Sequence, residues 1–295
     1  MTDRYFGSLT TLAILVAMAS LAQVPVAGQW PPRTPDGQPD MQGVWTRRVV
    51  GMSSYSLEGG ANEEHALLSA GCAQDVVDCE RSAEELNAAA TRRRGEHVSV
   101  IVDPPDGKMP YQPWAAARRQ DITDHHTNPR GLADVDPQAR CLLSGVPRMN
   151  YQELTAIQIH QIPGYVLVNY EFNHTYRIIS MDGRPHVGAG VKLWMGDSRG
   201  RWEGQTLIVD VANHNDRTWF DLVGSFHSDA LRVVERWTFV DADTIHYEAT
   251  VDDPKVFTRS WKMAFALARR KEPGVELLEM ACHEGERSLK LMLGR

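Results

Sequence analysis

The stretch LRVVERWTFV (231–240), DAD (241–243), TIHYEATV (244–251) decides how this chain is read. Two runs of β-branched and aromatic residues flank a short acidic turn, which is the signature of a β-hairpin. A second stretch, WEGQTLIV (202–209), repeats the design. In both, a large apolar residue precedes an acidic turn, and a Thr then opens an alternating strand.

Outward from this hairpin, the C-terminal half is a succession of such runs. They cover 156–162, 165–172, 176–181, 191–195, 206–211, 231–240, 244–251, 258–267 and 275–283. The separators are Pro163-Gly164, Asp182-Gly183, Glu203-Gly204-Gln205, Asp241-Ala242-Asp243 and Pro273-Gly274. About nine sequential strands joined by short turns predict a mainly β fold. Such a meander must hide its edges, so an antiparallel up-and-down barrel is expected, with a strongly curved meander or a sandwich as alternatives.

The N-terminal half has a different character. Residues 9–21 form an apolar run led by Leu12, Ile14, Leu15 and Val16 behind Arg4, and Ser20-Leu21-Ala22 offers small residues to a signal peptidase. Residues 1–22 therefore read as a signal peptide, and the run is too short for a bilayer span of about 20 apolar residues. Residues 23–150 read as an extended, irregular wrapping segment that forms one domain with the barrel region 151–295. Within it, 43–50 and 98–102 are expected strands, and 82–94 and 111–121 expected short helices, the latter with Pro113 in its first turn. A periplasmic or secreted protein follows, with no stable membrane span after processing.

A formal charge of −7 argues against a nucleic-acid partner, which requires a basic face. Four cysteines in an exported chain suggest two disulfides. Cys72 with Cys79, and Cys141 with Cys282, is the favoured pairing of three. No C-x-x-C pair is present to hold a metal.

Several landmarks span nearly all of the mature chain: PDMQGVW (39–45), DPPDG (103–107), RCL with GVPR (140–142 and 145–148), MDGRPH (181–186), GDSRGRWEG (196–204) and ACHEG (281–285). In combination they resemble a family of uncharacterised exported bacterial proteins. The resemblance implies export and the extent of the domain but brings no mechanism. In outline the barrel is similar to lipocalin-like folds, an analogy of fold alone.

Motif chemistry gives little directly. Gly196-Asp197-Ser198-Arg199-Gly200 matches G-x-S-x-G, but the nucleophile elbow needs a strand, a tight turn and then a helix, and a β run follows here. It reads as a glycine-bounded turn. Gly188-Ala189-Gly190 lacks the third glycine of a dinucleotide fingerprint. The richer signal is a set of polar residues within the β half: His160, Glu171, His174, Arg177, His186, Asp216 and His227. Neighbouring carboxylates or arginines can orient an imidazole and set its pKa.

Period-two reading places Gln158 and His160 opposite Ile157 and Ile159, and Asn169 and Glu171 opposite Val168 and Tyr170. With polar faces inward the barrel holds a wet cavity; with apolar faces inward it is filled. The polar-inward arrangement predicts a small organic ligand in the interior or mouth, with 213–220 as a rim or lid. That ligand is either carried or converted by cofactor-independent hydrolysis, isomerisation or elimination, with Arg177 or Arg217 steadying negative charge. No cofactor is expected, although the histidines leave a bound metal open. A filled barrel would instead suit a structural or envelope-interaction protein.

Overall fold

The computed structural model describes residues 31–48, 56–58, 99–126, 128–151, 156–282 and 293. The leader, the 82–94 helix and the Cys72–Cys79 pair lie outside them. Nine strands close into a barrel: β1 (Gly43–Arg48), β3 (Ala156–Ile162), β4 (Tyr165–Tyr170), β5 (Thr175–Ser180), β6 (Asp197–Glu203), β7 (Thr206–Ala212), β8 (Arg232–Asp241), β9 (Thr244–Asp252) and β10 (Trp261–Arg269). Closure is made by β1, which pairs with β3 on one side and β10 on the other. A short strand, β2 (Ile101–Asp103), takes the remaining edge of β10 at Lys262 and Met263.

The alternation read from the sequence sets what lies inside. Val233, Glu235, Trp237 and Phe239 of β8 are buried, as are Ile245, Tyr247, Ala249 and Val251 of β9 and Trp261, Met263, Phe265 and Leu267 of β10. Their rings interlock: Trp237 meets Tyr247 edge-on at 5.0 Å, and Tyr247 lies 4.6 Å from Phe265. Each such side chain withdrawn from water contributes about 1.5–3 kcal/mol.

The same pattern decides between the wet and the filled interior. Ile157, Ile159, Val168 and Tyr170 point inward and are buried, while His160 is exposed and Gln158, Asn169 and Glu171 are half-buried on the outer side. Apolar faces fill this barrel because they gain more by leaving water than polar faces would.

Three further expectations change. Of residues 196–200 all but Gly196 are strand, not turn: Asp197 to Gly200 belong to β6, with Ser198 and Gly200 inward and buried. Residues 191–195 and 275–283 are not strands among the described residues, and each keeps only an isolated bridge, Leu193 to His214 and Phe172 to Met280. The first of these stretches lies in the long crossover 181–196, which returns along the outside so that β5 and β6 run parallel. All other barrel pairs are antiparallel.

One end of the barrel carries the tight turns at 163–164, 204–205 and 242–243. The opposite end is capped by 99–151 and by the long β7–β8 loop, whose buried residues join the barrel in one apolar cluster. Helix α1 (Pro113–His125) has Pro113 in its first turn, as expected, and runs a turn beyond residue 121. It docks on the loop through Arg119 Nε to Ser225 Oγ (3.0 Å) and Thr123 Oγ1 to the Val223 carbonyl (2.8 Å). Gly224, at φ +89°, leaves room for Ile122, whose side chain a Cβ would strike.

Candidate functional site

The sequence-derived polar residues go to separate places. Arg177 alone enters the barrel, where its guanidinium pairs with Glu235 and donates from Nε to Ser198 Oγ at 2.9 Å. Glu235 Oε1 also accepts from Asn150 Nδ2 (2.8 Å) and Tyr247 Oη (2.8 Å), and Tyr170 Oη donates to Asn150 Oδ1 (3.0 Å). Burial opposes the charge on Arg177, but the Glu235 carboxylate outweighs it and holds the group above its ordinary pKa. Burial also raises the Tyr170 phenol to about 12, with Glu235 adding to the rise. Every polar group named here has a partner, so the cluster is a structural tie across the barrel.

Glu171 binds backbone, accepting from Ala156 N (2.6 Å) and Leu278 N (2.9 Å). His160 and His174 are exposed. His186 staples the crossover to the barrel: its Nδ1 lies 3.0 Å from Asp197 Oδ2 and its Nε2 3.4 Å from Asp210 Oδ2. Asn213, at φ +62°, completes that attachment through Nδ2 bonds of 3.0 Å to the Gly188 and Val191 carbonyls. Among the described residues, no group of three or more His, Cys, Asp or Glu side chains could hold a metal ion.

Two of the flagged positions, Asp216 and Arg217, line a cleft of about 470 Å³ at the capped end. Arg118 reaches it from α1, Trp194 from the crossover, Arg140 from the cap, and Trp219 from the β7–β8 loop. Buried pairing fixes its walls. Arg148 grips Asp136 at 2.9 and 2.7 Å, and also donates to the Trp219 carbonyl and to Gln138 Oε1. The turn Pro137–Arg140 ends at Cys141, which adopts φ +57° and is bonded to Cys282 as expected.

The charge in the cleft is unbalanced. Among the described residues no carboxylate lies within ion-pair distance of Arg118, Arg140 or Arg217. Arg118 sits over the Phe226 ring at 4.6 Å. Among the described residues Arg140 Nε is buried without an acceptor, and burial lowers the pKa of that guanidinium despite the attraction of Asp136. A half-buried cation with an unmet donor is costly, and an anion brought to it relieves that cost.

Behind the cleft wall lie two buried imidazoles. His227 Nδ1 donates to the Ser228 carbonyl (2.9 Å), which leaves Nε2 to accept from Thr218 Oγ1 (2.6 Å). His214 has no hydrogen-bond partner for either ring nitrogen among the described residues, and its ring lies 5.9 Å from that of His227. Burial lowers the pKa of both; neighbouring His227 and Arg177 disfavour charge on His214 further, whereas the Ser228 carbonyl and Asp253 only partly offset burial at His227. Thr218 and both rings are sealed from solvent, so they support the wall and do not face the cleft.

These features define a class: a closed mixed β-barrel with a packed interior, a capped end bearing a cationic cleft, and a turn end with a shallow mouth. No protein-family model, curated protein or solved structure matches the chain. Sequence reading missed Arg118 and Arg140 because they join Arg217 only through folding of three distant segments. The one local signal was the polar-aromatic stretch 213–220.

Proposed function

We propose that this is an exported protein that binds a small organic anion in the cleft at the capped end. The observation that carries the reading is the set of three guanidiniums, Arg118, Arg140 and Arg217, lining one cleft without a carboxylate partner among the described residues. Guanidinium forks match carboxylate, phosphate or sulfate oxygens, and Trp194 and Trp219 offer flat apolar walls for the body of the ligand. Asp216 is, among the described residues, the one carboxylate lining the cleft, and any acid–base conversion of the ligand would draw on it. Export is supported by the leader-like residues 1–22 and by the Cys141–Cys282 bond, since disulfides persist in oxidising compartments.

Calorimetric titration with benzoate and phenyl phosphate, against benzyl alcohol as the uncharged control, tests the reading. The anions should bind and the alcohol should not, and Arg140→Ala or Arg217→Ala should weaken binding about tenfold or more. Equal affinity for the alcohol, or indifference to both substitutions, would refute it. The filled barrel favours a second reading, a structural protein of the cell envelope, which predicts that no anion binds.

A further inference from the structure

The turn end carries a second recess, of about 660 Å³, built from different chemistry. Its floor is the mouth of the barrel itself. Gln161 continues the inward series of Ile157 and Ile159, Trp202 that of Ser198 and Gly200, and Val166 opens that of β4. Met181 completes the floor, and Gly200 has no side chain because a Cβ would collide with Met181 Sδ and Ile179 Cγ2. One wall is the turn at 34–38, closed by Gly37 N to the Thr34 carbonyl (2.8 Å) and Gln38 N to Thr34 Oγ1 (3.1 Å). Gln161 pins that wall, accepting from Met41 N (2.6 Å) and donating to the Pro39 carbonyl (3.0 Å).

What remains unused in the recess is polar and almost uncharged. Among the described residues, the side-chain amide of Gln38, Nε2 of Gln42 and Nε1 of Trp202 make no hydrogen bond, and Asp36 spends one carboxylate oxygen on Thr34. Arg201, the only cation among the lining residues, is taken by Glu203 at 3.0 and 2.7 Å. Among the described residues no free guanidinium lines this recess to attract an anion. Planar amides that both donate and accept and a carboxylate that accepts, set beside an indole face, fit a ligand with many hydroxyls and apolar C–H faces. Mouths of β-barrels are also common ligand positions.

We propose that this mouth binds a neutral oligosaccharide, independently of the anion cleft at the opposite end. Gln38, Gln42 and Asp36 would take the hydroxyls, and Trp202 would stack on a sugar face. The test is calorimetry of the full chain with cellotetraose, maltotetraose and chitotetraose. At least one should bind at concentrations below about 10 mM, and Gln38→Ala or Gln42→Ala should weaken it about tenfold, the loss expected for one hydrogen bond of this kind. Trp202→Phe, which keeps apolar fill over the core, should also weaken it. Arg217→Ala should leave it unchanged, and saturating benzoate should not compete. Absence of binding by all three sugars, binding insensitive to all three mouth substitutions, or loss of sugar binding in Arg217→Ala would each overturn the proposal. Because the mouth substitutions lie at half-exposed positions, an unchanged melting temperature separates lost binding from lost folding.

Discussion

Replacing Glu235 by Gln removes one charge from the middle of the barrel and strands another. Arg177 is 3% exposed and Glu235 fully buried, so neither can recover its hydration when its partner is lost. Breaking such a pair from one side costs about 3–5 kcal/mol, mostly from the abandoned charge. For a chain of this size that corresponds to a fall in Tm of roughly 6–20 °C. The geometry also predicts how to restore it. In Arg177→Met with Glu235→Leu, both charges disappear together. Asn150 still donates to Tyr247 Oη (3.2 Å) and accepts from Tyr170 Oη, which leaves Ser198 and the Tyr247 O–H that had donated to Glu235 as the unpaired groups. The double variant should recover part of the loss, since buried ion pairs seldom outperform well-packed apolar replacements, and the two unpaired hydroxyls hold back the rest. Chemical denaturation of wild type, both single variants and the double gives the coupling directly. Were Glu235→Gln within about 1 kcal/mol of wild type, or the double no better than the worse single, the network would not hold a buried charge as described.

Acid should weaken the fold through His214 and His227. Both have folded pKa values below the ordinary one of about 6.5, so the unfolded chain takes up protons first as pH falls. Their contribution is complete above that value and is lost below it, by up to about 2.7 kcal/mol per pH unit for two protons. Lys192 and Arg177 further oppose a charge on His214, while Asp253 and Asp216 favour one on His227. Urea unfolding at pH 5, 6, 7 and 8 should show the slope, and His214→Gln should reduce it; a flat profile would contradict neutral burial. Removing the Cys141–Cys282 bond by a double Cys→Ala substitution should cost up to about 5 kcal/mol, given its separation of 141 residues. Because that bond anchors the wall bearing Arg140, benzoate affinity should fall as well, and an unchanged affinity would detach the disulfide from the cleft.

Much of the barrel was legible because its strands alternate and its turns carry Gly, Pro or Asp. Strands β3, β4 and β7 to β10 follow that rule closely. The strand β6 was not legible, because its inward positions are Ser198 and Gly200, one meeting Arg177 and the other making way for Met181. Small and polar residues in that order imitate a turn. The reverse error occurred at 191–195, where Val191 and Leu193 are exposed and belong to the crossover. Alternation also leaves the sign of the faces undetermined, and only closure shows that Ile157 is inside and His160 outside. The Arg177–Glu235 pair spans 58 residues of sequence, so neither residue signals the other locally.

The position of β1 bears on how the chain must assemble. Trp45 lies opposite Arg269, so one of the earliest strands to be made completes its pairing only when nearly the last strand exists. Until then β1 and β9 would present unpaired edges, and contacts so remote in sequence form slowly. A chain delivered N-terminus first therefore carries its keystone from the outset but cannot set it until the end. The same division suggests that a barrel lacking residues 31–48 could accept that strand from a separate peptide.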